Sequence, residues 1–156
     1  MKKQLLIIGM IALLVCVGLS GCNQQTTTKS NYNIGDSIVV GNIRYTFLSA
    51  DWADSSTYNL NIKGENLGTS VATGIIAIIK YEMRNGYSYT HNDMFGLNTV
   101  GTTFTINPGR EQTQTISSYN EIDRGFLPVS KIYLNFRKLA SDGYSYDFIK
   151  AIVLNV

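Results

Sequence analysis

Histidine, cysteine and proline are nearly missing from this chain, and each shortage closes off a chemistry. One histidine (His91), two cysteines (Cys16 and Cys22) and two prolines stand among 156 residues. A lone histidine cannot build the multi-histidine sites that hold catalytic zinc. Two cysteines allow one disulfide at most. Charge of either sign is also in short supply: 13 Lys and Arg face 11 Asp and Glu, a formal net charge of +2. A nucleic-acid binder carries a basic footprint, so nucleic acid is excluded as a partner. Asparagine sequons are absent as well. Only one long apolar run exists, residues 5–19, and no segment carries a capped, helix-length 3.6-residue period.

That run sits in a particular setting. Met1-Lys2-Lys3 is a short positive segment, and the apolar stretch is broken only by Gly9 and Gly18. Fifteen helical residues span roughly 22 Å, short of the roughly 30 Å hydrocarbon core. Length and flanks therefore read as a signal peptide, residues 1–21, rather than a membrane span. Leu19-Ser20-Gly21-Cys22 resembles the lipobox of prokaryotic lipoproteins. The resemblance implies cleavage before Cys22 and a lipid on its thiol, holding the chain at the extracytoplasmic face of a membrane.

Processing of that kind changes the inventory. Cys16 leaves with the leader and Cys22 is consumed by lipid, so no thiol and no disulfide remain. Lys2 and Lys3 leave too, and eleven basic residues then balance eleven acidic ones. Residues 22–33 are rich in Gln, Thr and Asn and read as a flexible tether. Residues 34–156 make one domain, long enough to bury a core without disulfide staples.

Period-two alternation dominates this domain. Ile43, Tyr45 and Phe47 alternate with Arg44 and Thr46, after a two-residue Gly41-Asn42 loop. Tyr58, Leu60 and Ile62 alternate with Asn59, Asn61 and Lys63. In the next segment Ile75, Ala77, Ile79, Tyr81 and Met83 are expected on one face. Asn85-Gly86 predicts a hairpin with a type I′ turn, and Asn107-Pro108-Gly109-Arg110 a type II turn. Residues 111–119 are strand-like but polar, which predicts an edge strand. Ile132, Leu134 and Phe136 mark the penultimate strand. Asp142-Gly143 turns it into the last, where Tyr146, Phe148, Ile152 and Leu154 are expected to share a face. Residues 118–125 could hold a helical turn. The sum is an all-β, antiparallel sandwich of about nine strands.

Three segments carry a family resemblance. Residues 34–46 (IGDSIVVGNIRYT), 60–68 (LNIKGENLG) and 106–111 (INPGRE) resemble the telokin-like, immunoglobulin-like domains of prokaryotic lipoproteins. Their pattern is a Gly-acidic start, a hairpin, an aromatic strand, a strand ending in Asn-x-Gly, and a Pro-Gly-Glu turn. Arg110 is an insertion in that turn, and Gly64 stands where the family usually carries a larger residue. The resemblance implies an immunoglobulin-like β-sandwich that is not an enzyme.

Candidate chemistry is sparse. Ser88, His91 and Asp93 lie too close in sequence to converge as a triad. Asp51 with Asp54, and Asn92 with Asp93, lack the regular oxygen spacing of a calcium loop. The near-repeat is more informative: Asn85-Gly86-Tyr87-Ser88-Tyr89 and Asp142-Gly143-Tyr144-Ser145-Tyr146 each follow a tight turn with two tyrosines two residues apart. One reading is cross-strand packing at a sandwich end. The other is an amphipathic platform for a sugar or peptide, built by Tyr87, Tyr89, Tyr144 and Tyr146 with His91 beside them. The polar strand 111–119 offers a further contact, since an uncovered edge accepts a partner's strand.

The expectation is thus a lipid-anchored, extracytoplasmic, non-catalytic binding module without cofactor or metal, whose partner is a protein or glycan of the envelope. Its alternative is a structural or assembly component, and an envelope hydrolase comes last.

Overall fold

The longer strands among the described residues earn their place by alternation, and four of them break step once. The computed structural model describes residues 29–54, 57–86, 88–90, 100–119, 128–140 and 145–156. Ten strands are found among them: β1 (Asn31–Asn33), β2 (Ser37–Val40), β3 (Ile43–Trp52), β4 (Thr57–Asn66), β5 (Ala72–Met83), β6 (Ser88–Thr90), β7 (Val100–Ile106), β8 (Glu111–Tyr119), β9 (Val129–Leu139) and β10 (Tyr146–Asn155). Sheet A runs β1-β10-β9-β5, with β6 and β7 both on the far side of β5; sheet B runs β2-β3-β4-β8. Two sheets packed around one core make the all-β sandwich expected from the alternation. Every pairing is antiparallel except β1 with β10, which run parallel.

The core is built from both inner faces. Ile43, Tyr45, Phe47, Leu60, Ile62 and Ile116 of sheet B meet Ile76, Ile78, Phe104, Ile132, Leu134 and Phe136 of sheet A. Tyr45 sits at the centre, its ring 5.3 Å from Phe104 and 5.1 Å from Phe136 across the gap. Gly64 answers its departure from the family pattern. A Cβ there would lie 2.7 Å from the Phe104 ring and 2.8 Å from Ile106, so the missing side chain is filled from the opposite sheet.

Turn chemistry follows the residues closely. Gly41 (φ 60) takes the first of two loop positions between β2 and β3, as a type II′ turn requires. Gly109 (φ 64) follows Pro108, and the Arg110 N–H donates to the Asn107 carbonyl, giving the expected type II turn. The β5–β6 hairpin also forms, by a different route. Only Gly86 has a positive φ (85), and its N–H donates to the Met83 carbonyl. A single left-handed residue after a turn is the three-residue hairpin with a glycine bulge, not type I′, because Asn85 keeps a negative φ.

The strands depart from expectation where the register shifts and at the chain's start. Shifts fall at Leu48 in β3, Ile79 in β5, Ser130 in β9 and Ile149 in β10. Each inserts one residue and swaps the faces beyond it. In β5, therefore, Ile76 and Ile78 point into the core, and Tyr81 joins them only after the bulge. In β10, Ile152 and Leu154 are buried while Tyr146 and Phe148 are exposed. At the start, Asn31–Asn33, within the segment read as tether, is strand β1. Asn31 is opposite Val153, and Tyr32 of β1 is buried near Phe47. The leader, Cys22, the tether up to residue 28 and Asp142-Gly143 lie outside the described residues, as does most of 118–125, whose first two residues end β8.

Candidate functional site

One end of the sandwich gathers four links: Gly41-Asn42, residues 67–71 between β4 and β5, the 107–110 turn, and the β9–β10 hairpin. Asn66 organises the first three. Buried at the end of β4, its side-chain amide donates to the Ser70 and Ile106 carbonyls at 2.7 and 2.8 Å, and its oxygen accepts from the Gly68 N–H at 2.8 Å. Backbone bonds add Asn66 N–H to the Arg110 carbonyl and Leu67 N–H to the Asn42 carbonyl. The Asn-x-Gly signature is thus a buried polar hub, its bonding capacity taken up by backbone groups of the neighbouring links.

The fourth link presents side chains outward. Tyr146 pairs with Leu139, and Phe148 with Arg137, on the face opposite Phe136 and Leu134. Phe148 is 60% exposed, Tyr146 55% and Leu139 48%. Ile149, the bulged residue, is exposed as well. Among the described residues nine large hydrophobics are exposed, and six of them (Leu67, Val71, Leu139, Tyr146, Phe148 and Ile149) belong to this one end. Such a concentration makes this end the candidate contact surface.

Two open hollows flank Ile149. One, of about 270 Å³, runs between the sheets and is lined by Tyr45, Val71, Gly74, Phe136, Arg137 and Ile149. Burial raises the Tyr45 hydroxyl pKa above its usual value, so it stays protonated there. The other, about 370 Å³, lies between Lys29-Ser30 and Phe148 to Ala151. Basic side chains rim the patch. Lys138 pairs loosely with Asp147 at 3.7 Å, and Lys29 with Asp36. Arg137 and Lys150 have no ion-pair partner among the described residues.

The outer face of sheet B contrasts sharply. Its side chains bond to one another across strands: Arg44 to Glu65 (2.7 Å), Lys63 to Glu111 (3.1 Å), Ser37 with Thr46 (2.8 Å) and Thr115 to Asn61 (2.6 Å). Far along the outer face of sheet A, Glu82 accepts from Lys131 (2.7 Å) and Tyr133 (2.8 Å). Lys131 first, then Tyr133, holds the Glu82 carboxyl below its ordinary range, and the same carboxylate pushes the Tyr133 hydroxyl up. These are cross-strand pairs. Of the two loops raised for calcium, the first has Asp54 accepting from the Thr57 N–H at 2.7 Å, and the second, with Asn92-Asp93, lies outside the described residues. Among the described residues no three His, Cys, Asp or Glu side chains converge as metal ligands.

Tyr89 and Tyr146, the members of the four-tyrosine platform whose backbone the structure describes, stand at opposite ends of sheet A. Because β5 and β9 are antiparallel neighbours, the turns that follow them open at opposite ends of sheet A. Tyr89 is opposite Tyr81, which is opposite Ile132, whereas Tyr146 is opposite Leu139. Seven residues of β9 separate those positions, about 23 Å at strand rise. Tyr87, His91 and Tyr144 lie outside the described residues, as does Cys22. Tyr146, the one member of the set whose side chain is described, joins the exposed apolar surface in the company of Phe148, Ile149 and Leu139. The signal for these was Phe148-Ile149 itself, since a one-sided strand can bury only one of two consecutive large apolar residues.

Comparison with known proteins adds little. No family model matches the chain, and no curated protein does. Among solved structures, the crystal structure of the yjhA protein from Bacillus subtilis is similar over 80% of this chain and 98% of that one, at 12% identity and a TM-score of 0.45. At that distance no feature of this chain is inferred from it.

Proposed function

We propose that this chain is a lipoprotein, cut before Cys22 and held by lipid at the extracytoplasmic face of a membrane, which works by contact rather than by catalysis. The observation that carries the contact role is the exposed apolar end of the sandwich, centred on Tyr146, Phe148 and Ile149. Six exposed apolar residues sharing one end cost solubility unless something covers them. The leader and the Leu19-Ser20-Gly21-Cys22 segment support the anchor. The counterpart is a component of the envelope.

Two measurements test this in cells producing the full chain. Fatty-acid labelling, with the mass of the N-terminal peptide, should place lipid on Cys22 and lose it in Cys22→Ser. A photoreactive side chain in place of Phe148 should give adducts with envelope material, and one in place of Thr46, on the paired face of sheet B, should give none. Equal adduct formation from both positions sinks the contact reading, and an unlipidated Cys22 sinks the anchor.

A further inference from the structure

We infer that the apolar end of the sandwich docks on the bilayer surface itself, so that Tyr146, Phe148, Ile149 and Leu139 enter the headgroup region beside the lipid on Cys22. This rests on the anchor just proposed and names the counterpart of the same surface.

Chain direction carries the inference. Strand β1 runs parallel to β10, with Asn31 opposite Val153 and the Ser30 carbonyl accepting from the Val153 N–H. Going backwards from Asn31, the chain therefore heads toward the beginning of β10, where Tyr146 and Phe148 lie. Lys29 and Ser30 already share a hollow with Phe148 and Ile149. Six residues lie between Cys22 and Lys29, a reach of about 25 Å over the seven steps at full extension. A membrane that holds the Cys22 lipid is thus never far from this end.

Composition fits a bilayer interface. Tyrosine and phenylalanine with aliphatic neighbours suit the boundary between headgroups and acyl chains, where tyrosine keeps its hydroxyl wet. Arg137, Lys138 and Lys150 surround the patch, and long basic side chains lay their stems on apolar surface while their charges reach anionic headgroups. The opposite end, with Trp52 beside Tyr58, is turned away: β3 carries the chain from Ile43 to Trp52, about 30 Å along the sheet.

Tryptophan placement tests this directly. The lipidated chain is reconstituted in vesicles of equal parts phosphatidylglycerol and phosphatidylcholine. In Phe148→Trp, the new indole should emit to the blue and be quenched by lipids brominated near the headgroup; Tyr146→Trp is an independent second probe. The native chain, whose one tryptophan is Trp52, should show neither change. If the indoles introduced at positions 148 and 146 ignore vesicles while Cys22 is shown by mass to carry lipid, the docking is overturned and the anchor stands. Insertion of the position-148 indole in a chain lacking that lipid overturns the anchor and keeps the docking. If crosslinking through position 148 instead yields dimers, with no quenching, a second copy covers the patch and the bilayer does not.

Discussion

Gly74 and Tyr45 compete for one volume. A Cβ on Gly74 would lie 1.9 Å from the Tyr45 hydroxyl, and the ring cannot swing aside because Phe104 and Phe136 hold it. Gly74→Ala should therefore destabilise the fold by about 1–3 kcal/mol in urea unfolding, as overpacking does. Tyr45→Phe removes the clashing oxygen, so the double variant should recover part of that loss. Full additivity of the two would show that the clash is not the cause. Asn66 acts by the opposite means, through bonds rather than space. Asn66→Ala strands the Ser70 and Ile106 carbonyls and the Gly68 N–H, which should cost about 2–3 kcal/mol. Asn66→Asp keeps only the acceptor and should cost nearly as much. Either change falling within a few tenths of wild type would remove Asn66 from its role as the hub of this end.

Single-residue bulges decide what the strands show to solvent. Before the Ile149 bulge, Phe148 faces outward; beyond it, Ile152 faces the core. Phe148→Ala should then change the urea midpoint little, by about 0.5 kcal/mol or less. Ile152→Ala should cost about 2–5 kcal/mol. Similar costs at both positions would mean that β10 keeps one face throughout, as plain alternation predicts. That contrast also marks how far the sequence is legible. Strand existence, the polar edge strand β8, the Pro108-Gly109 turn and most core residues follow from alternation and turn chemistry. Bulges leave no mark in a period-two pattern, so Tyr81 is grouped with Ile75 when it belongs with Ile76, and Phe148 is assigned to the core. β1 is missed for another reason: three residues, Asn31-Tyr32-Asn33, cannot display a period. The candidate site was legible only in part. Tyr146 is recognisable as a surface aromatic, but its neighbours depend on the bulge, and its separation from Tyr89 depends on strand order.

Across the whole molecule, the acidic limb of stability comes from surface carboxyls and the basic limb mainly from buried tyrosines. The Asp36 carboxyl is held below its ordinary value of 3.8, first by Lys29 and then by the Asn33 N–H, and Glu82 below 4.5 by Lys131 and Tyr133. A carboxyl with a lowered folded pKa contributes stability that is present above its unfolded pKa and is lost as pH falls through the folded value. Both are surface groups, so this limb is shallow and screened by salt. Tyr58 differs, because burial first, and the Asp51 charge second, push its hydroxyl from 10.0 up to about 12, and burial raises Tyr45 as well. A raised folded pKa contributes stability that is fully present below the unfolded value and is lost as pH rises through the folded one. Urea midpoints should accordingly stay level between about pH 5 and 9, dip gently in acid, and drop more steeply between about pH 10 and 12. Tyr58→Phe should flatten the alkaline drop, leaving the parts due to Tyr45 and to the Glu82 cluster, and Glu82→Gln should soften the acid dip together with the small alkaline share that Tyr133 and Lys131 carry. Added salt separates the two limbs further, because it weakens exposed ion pairs while leaving the cost of ionising a buried hydroxyl nearly untouched. An alkaline drop that disappears in salt would assign that limb to surface charge and take it away from the buried tyrosines.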